Sequence, residues 1–575
     1  MLKVLKRAIR QYTRLSWVSP IAVTGEVIVE MMIPYLVGEL IDDGIRKGNM
    51  NFIVNKGILL LILTIVSVTC GVAASITSSK AAAGFAANLR HDMFYKTQDF
   101  AFENIDKFSS ASLVTRMTTD VNNVQQSYQM LIRVAVRAPM LLIVSIFMAF
   151  VVSPSLASIF VILAPIFAVV LVLILLAGFK VFPKIFKAYD RLNQVVRENV
   201  RGIREVKTYV REDQQIDKFN DTSDKIYSLF VKAMKIINLN SLAIMLILNI
   251  SLLLLSWFGA HQIVGGSLQT GQLVSMFSYS NSVLFSLMIV AMISVQIVMS
   301  MSSGRRIAEV LTEKPAITNP ENPITKLENG EIIFDDVSFK YSDGSKNAID
   351  DVNLTIKSGE TIGIIGETGS SKSTLVNLIP RLYDVTSGSI KVSGHDVKDY
   401  DLKTLRDGVA MVLQKNVLFS GTIMSNLLWG NEHASEEEVI KACQIAHADG
   451  FIREMEDGYN THIEQGGANV SGGQKQRITI ARALLKKPKI LILDDSTSAV
   501  DTATELAIRT ALREDLASTT KIIISQRIDS IKDADRIIVM HKGQIQDIGT
   551  HDELLVKNDL YQKIAKYQGQ GGQAE

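Results

Sequence analysis

The sequence predicts a membrane α-helical protein in which a six-helix transmembrane domain precedes an α/β domain built around a phosphate loop. Three observations carry this prediction. Apolar runs long enough to cross a bilayer recur through the first half of the chain and then stop. The segment TIGIIGETGSSKST puts a short apolar strand ahead of a Gly-Ser loop and a helix, the context that aims backbone N–H groups at phosphate. Further on, VSGGQ at 470–474 makes a second glycine turn ahead of a helix, which offers another set of N–H donors to an anion.

A helical span takes about 20 apolar residues. Runs near 17–41, 57–79, 134–153, 156–179, 242–266 and 274–300 meet that length and give the six spans. The connections at 154–155 and 267–273 are short and uncharged, whereas 80–133 and 180–241 are long and rich in Lys and Arg. The positive charge places the long loops in the cytoplasm with both termini, and Arg46, Lys47 and Lys56 form a mild exception on the other side. Lys3, Lys6, Arg7, Arg10 and Arg14 precede the first span, which reads as a retained membrane helix. The stretch KAYDRLNQVVRENVRGIREVKTYV has mixed charge at helical spacing, so the membrane helices are expected to continue into the cytoplasm.

Within the spans, Glu26 and Glu30 lie four apart and share one helix face. A carboxylate there is costly against lipid, so the pair serves either cationic cargo or packing between helices. Arg133 and Arg137 read as anchors snorkelling where the third helix leaves the membrane. The Met, Phe and Leu of 276–301 form either an adaptable cargo wall or ordinary bundle and lipid contacts.

Pro315, Pro320 and Pro323 interrupt helix formation and mark the boundary. The expected domains are residues 1–310 in the membrane, a linker at 311–329 and a nucleotide-binding domain at 330–575. In the phosphate loop Gly366, Glu367, Thr368, Gly369, Ser370, Ser371 and Thr374 surround the phosphates. Lys372 pairs with the β- and γ-phosphates, and the Ser373 hydroxyl faces Mg²⁺. The strict pattern fails at Ser371, which stands where a second glycine belongs. If that position needs a left-handed backbone, the serine costs about 1–2 kcal/mol.

The order of phosphate loop, VSGGQ and KILILDD, behind six spans, resembles the ABC transporter family over nearly the whole chain. The resemblance implies the six-helix fold of an ABC exporter, and coupling helices near Phe102–Ser112 and Glu212–Asp221 that press on the ATPase domains. It implies ATP and Mg²⁺ as cofactors and a multi-pass place in a bacterial plasma membrane. By the same resemblance Tyr341 stacks on adenine, although a solvated strand-end tyrosine is the plainer alternative. Gln414 links the Mg²⁺ site to the membrane helices, Asp494 holds Mg²⁺ through water, and Asp501 lies in the loop between the two ATP sites. Ser471, Gly472, Gly473 and Gln474 match the family's signature, with Val470 replacing its Leu.

Two further positions depart from the family pattern. The general base is usually Glu, but Asp495 reaches about 1.5 Å less far, and a misplacement of about 1 Å costs roughly two orders of magnitude in rate. Gln526 stands where a His contacts the γ-phosphate; an amide bonds phosphate but does not become cationic. Exporter ATPase domains pair head to tail, so a homodimer of this chain has two defective sites and a heterodimer only one. The expectation is therefore a heterodimer with a homologous half-transporter. This chain keeps a hydrolysis-poor site, lends its signature to the partner, and moves drugs or other amphipathic small molecules. Lipid, glycolipid or peptide cargo is one alternative, and a non-pumping nucleotide-sensing subunit is another. The net charge of +2, from 60 basic and 58 acidic residues, argues against nucleic acid as a partner. The two cysteines, Cys70 and Cys443, lie in unlike segments and support neither a disulfide framework nor a metal site.

Overall fold

The computed structural model describes residues 1–571 apart from 343, 345, 497 and 498. The chain divides into two compact units: Met1–Gln98 with Ser110–Glu313, and Asp99–Ser109 with Lys314–Glu575.

The first unit is helical and, among the described residues, contains six helical segments long and apolar enough to cross a membrane. Its elements are α1 (Leu2–Arg7), α2 (Thr13–Glu39), α3 (Met50–Gln98), then α5 (Ser110–Thr115), α6 (Val121–Ile132), α7 (Val134–Val152), α8 (Pro154–Arg201), α9 (Ile203–Thr208), α10 (Glu212–Val264) and α11 (Thr270–Thr312). Helix α4 (Phe102–Phe108) belongs to the second unit. Helices α3, α8 and α10 run 49, 48 and 53 residues, well beyond the length of a span, as the charge pattern of the long loops requires. Ser153 caps α8, with Pro154 in its first turn.

Asp42, 3% exposed, accepts hydrogen bonds from the backbone N–H groups of Gly271 (2.7 Å) and Gln272 (3.1 Å) and so caps α11 from a distance. Gly271 is required there, because a Cβ would lie 2.1 Å from the Gly38 carbonyl oxygen. The second long loop differs from expectation. Its separate short helix is α9, and Glu212–Asp221 instead opens α10. Val210 at φ +52° breaks the chain direction just before that point, and Glu212 and Asp213 favour the new N-terminus.

Glu26 and Glu30 also resolve. Arg137 on α7 donates to both, to Glu26 Oε1 and to Glu30 Oε2 at 2.7 Å. Arg137 is thus an ion-pair partner rather than a snorkelling anchor, because two carboxylates on the facing helix offset its charge where water is scarce. Arg133 donates to the Ser75 hydroxyl at 3.0 Å.

The second unit holds a six-stranded sheet in the order Gln544–Gly549, Arg536–His541, Thr361–Gly366, Thr520–Ile524, Ile490–Asp494 and Val409–Val412. All neighbours are parallel except the first pair. Ile490–Asp494 is buried along its whole length, as expected of a parallel strand covered on both faces. A four-stranded antiparallel sheet led by Ile332–Phe339 packs into the same core as Ile364, Ile492 and Ile524. Helix α4 docks on this unit through Tyr383, which donates to Asp106 Oδ2 at 2.6 Å, and through Asn104, which donates to the Lys314 carbonyl at 3.0 Å. The edge of Tyr383 also meets Phe102 at 5.9 Å.

Candidate nucleotide site

Parallel strands bind ligands beyond their C-terminal ends, where the connecting loops converge. Here Thr361–Gly366, Thr520–Ile524 and Ile490–Asp494 are adjacent, and register pairs Ile524 with both Ile364 and Asp494. Their ends open on a cavity of about 300 Å³ lined by Thr368, Gly369, Ser371, Lys372, Ser373, Thr374, Gln414, Asp494, Asp495, Ile524 and Gln526. All three departures from the family pattern therefore face one space.

The loop is shaped by its neighbours. A Cβ on Gly366 would lie 2.2 Å from the Met540 carbonyl oxygen, so the strand end admits only glycine. Gly369 has φ +86°, and Ser371 has φ +71° and ψ +24°, the left-handed region that serine adopts only at a cost. Lys372 Nζ donates to the carbonyls of Gly366 (2.9 Å) and Glu367 (3.0 Å) and to Ser370 Oγ (3.3 Å), folded over the loop that would carry phosphate. Burial pushes the Lys372 ammonium below its usual pKa, against the pull of Asp494 and Asp495.

Asp494 ends its strand 4% exposed. Burial holds its carboxyl above the usual range, opposed by a hydrogen bond with Ser373 and by Lys372, while Asp495 raises it further. A buried carboxyl beside a hydroxyl and an ammonium suits a divalent cation and polyphosphate. Asp494, Ser373 and Gln414 would hold Mg²⁺, which neutralises phosphate charge when bound. Asp495 sits at φ +46°, a conformation its short side chain tolerates, and its N–H donates to the Ile524 carbonyl at 2.9 Å. Gln414 Nε2 reaches Asp495 Oδ2 at 3.4 Å.

Gln568, in the last helix (Asp559–Gly571), was not legible in the sequence. Its Nε2 donates to the Gln526 carbonyl at 2.6 Å and its Oε1 accepts from the Ile528 N–H at 2.9 Å, so one amide grips the backbone on both sides of Arg527. A glutamine in a polar C-terminal helix carries no signal of this. Tyr341 lies outside the cavity lining; its hydroxyl pairs with Thr374 Oγ1 at 3.0 Å and its ring meets Phe339 and Tyr383 edge-on.

Ser471 caps the helix Gly472–Leu485 in a capping box. Its Oγ accepts from the Gln474 N–H at 3.2 Å, and Gln474 Oε1 accepts from the Ser471 N–H at 2.9 Å. A Cβ on Gly473 would stand 2.9 Å from the Ala499 carbonyl oxygen, so the glycine lets the neighbouring loop approach. None of Ser471, Gly472, Gly473 and Gln474 lines the phosphate cavity. Asp501 caps the helix Thr502–Asp515, and the Thr504 N–H, with Arg477 nearby, holds its carboxyl below the usual range. The unit also bears a groove of about 350 Å³ where Phe419 and Trp429 stack at 4.0 Å while 44% and 63% exposed.

Six apolar helices followed by a phosphate-loop sheet with a second glycine turn define an ATP-driven membrane transporter of the exporter type. The chain belongs to the ABC transporter family: residues 17–288 match the ABC transporter transmembrane region and residues 349–498 match the domain described as ABC transporter. It is 35% identical to the uncharacterised ABC transporter ATP-binding protein YfiB of Bacillus subtilis (strain 168), over 98% of each chain. It is 31% identical to the ATP-dependent lipid A-core flippase of Desulfotalea psychrophila, over 93% of each. The solved structure of a bacterial Atm1-family ABC exporter with ATP bound shares the fold, with a TM-score of 0.81 at 22% identity over 97% of this chain and 99% of that one.

Proposed function

We propose that this chain is one half of a heterodimeric exporter of drugs or other amphipathic compounds in a bacterial plasma membrane, with both termini in the cytoplasm. It keeps the slow ATP site and completes the fast one in its partner. The observation that carries this reading is the convergence of Ser371, Asp495 and Gln526 on one cavity, while Ser471–Gln474 forms a regular capped helix start outside it. The nucleotide-binding half is thus altered and the signature half is whole. ATP held by Lys372 and Ser373, with adenine on Tyr341, turns over slowly because Asp495 is short and Gln526 stays neutral. With the Ser471 and Gln474 N–H groups held in the capping box, the N–H groups of Gly472 and Gly473, which have no hydrogen-bond partner among the described residues, are the ones offered to phosphate on the partner. The groove at Phe419 and Trp429 is apolar and open, as suits a helical turn of the partner's cytoplasmic loop. Asp501 sits one helix away from the signature and relays between the two sites.

Lipid is the second cargo reading, favoured by the similarity to a protein named as a lipid A-core flippase. For that reading Arg137 leaves Glu26 and Glu30 with one net negative charge, which suits cationic amphiphiles better than an anionic lipid.

The test is made on the chain co-purified with the half-transporter it pairs with. Ser471→Ala should depress ATP turnover of the pair about tenfold or more, because the lost contact belongs to the partner's competent site. Full turnover with normal assembly would remove the cross-subunit role.

A further inference from the structure

The first unit contains a cavity far from the nucleotide-binding residues in sequence and chemistry. It has a volume of about 320 Å³ and opens beneath α1, between α3, α6 and α11. Its wall is apolar, formed by residues such as Leu5, Ile9, Phe85, Val124, Leu131 and Met301. Such a volume is the size of an ordinary ligand pocket rather than a packing defect.

A charged residue gives the apolar space a polar address. Lys6 lines the cavity; it is exposed, and among the described residues no carboxylate pairs with it. Lys3 and Arg7 stand on the same six-residue helix, and no acidic residue lines the space. Arg10, by contrast, is spent on Asp92 at 2.6 Å.

An apolar slot with an ammonium at its rim matches two parts of one molecule in order: an acyl chain and an anionic headgroup. We infer that this cavity holds one acyl chain of an anionic membrane phospholipid, with Lys6 pairing with its headgroup. Each methylene that enters contributes about 0.8 kcal/mol, and the headgroup charge selects anionic over zwitterionic lipid. The inferred lipid is a bound companion of the fold, separate from cargo. It lies against the stretch of α11 that holds Ser300, Met301 and Gly304.

The test uses phosphatidylglycerol carrying a photoactivatable diazirine on its acyl chain. It is added to the full-length chain, in its native assembly, in phosphatidylcholine bilayers. Labelling should concentrate on residues 124–131 and 297–304. Unlabelled phosphatidylglycerol should compete it away, and phosphatidylcholine should not. Lys6→Gln should weaken binding about fivefold while leaving assembly intact. Ser300→Leu, which extends an apolar side chain into the same space, should abolish labelling at both segments. Labels scattered along the spans, equal competition by the two lipids, or unchanged binding in Lys6→Gln would each overturn the assignment.

Discussion

Replacing Ser371 with glycine isolates the backbone cost of the altered phosphate loop. Ser371 sits at φ +71° and ψ +24°, where an L-residue with a Cβ pays about 1–2 kcal/mol. Glycine removes that strain but returns about 0.5–1 kcal/mol through the greater freedom of the unfolded chain. The net expectation is a gain of about 1 kcal/mol, which raises the melting temperature of the nucleotide-binding unit by about 2–4 °C for a domain of this size. ATP affinity should change little, because the left-handed turn already exists before nucleotide enters. Ser371→Ala is the control: alanine is as strained as serine and should give no gain. Differential scanning fluorimetry on the full-length protein, with and without MgATP, reads both quantities. A melting temperature that falls or stays level in Ser371→Gly, or rises equally in Ser371→Ala, would refute the strain argument. A large rise in ATP affinity would show that the serine distorts the loop in a way its backbone angles do not record.

Three other outcomes follow from the same geometry. Asp495→Glu together with Gln526→His should raise ATP turnover at this chain's site in the purified pair, since the pair restores reach and a titratable contact. Unchanged turnover with normal nucleotide binding would show that neither residue limits it. Gln568→Ala frees the Gln526 carbonyl and the Ile528 N–H, so hydrogen exchange at Ile528 should quicken about tenfold with the rest of the sheet protected. Exchange at the wild-type rate would mean that the C-terminal helix does not hold this loop. Arg137→Leu strands Glu26 and Glu30 and should cost about 3 kcal/mol, read as lost thermal stability in detergent. Adding Glu26→Gln and Glu30→Gln to it should recover most of the loss, and a failure to recover would make the arginine a packing residue instead.

How far the sequence reaches is visible in these same residues. Local patterns delivered what local chemistry determines. Six apolar runs became six spanning segments, KILILD became a fully buried strand, and the missing glycine at 371 marked a left-handed turn. The alignment of Ser373, Asp494, Asp495 and Gln526 on one cavity also followed, because parallel strands bring their C-terminal ends together. Contacts between distant segments left no such trace. Arg137 meets Glu26 and Glu30 across more than 100 positions, and neither helix announces the other. Gln568 looks like any polar residue on an exposed helix until the chain folds back to Gln526. The second coupling helix was misplaced for another reason: Glu212 and Asp213 do signal a helix N-terminus, but that terminus opens a 53-residue helix rather than a short one.

The central claim is that this chain binds ATP well and hydrolyses it poorly at its own site, while a better-equipped partner supplies the competent one. The most direct measurement is phosphate release from the chain purified without a companion, reconstituted in bilayer nanodiscs and loaded with radiolabelled ATP and Mg²⁺. Nucleotide retained as ATP, with release about a hundredfold or more slower than from the co-purified pair, is the expected result. Rapid multiple turnover by the lone chain would contradict it.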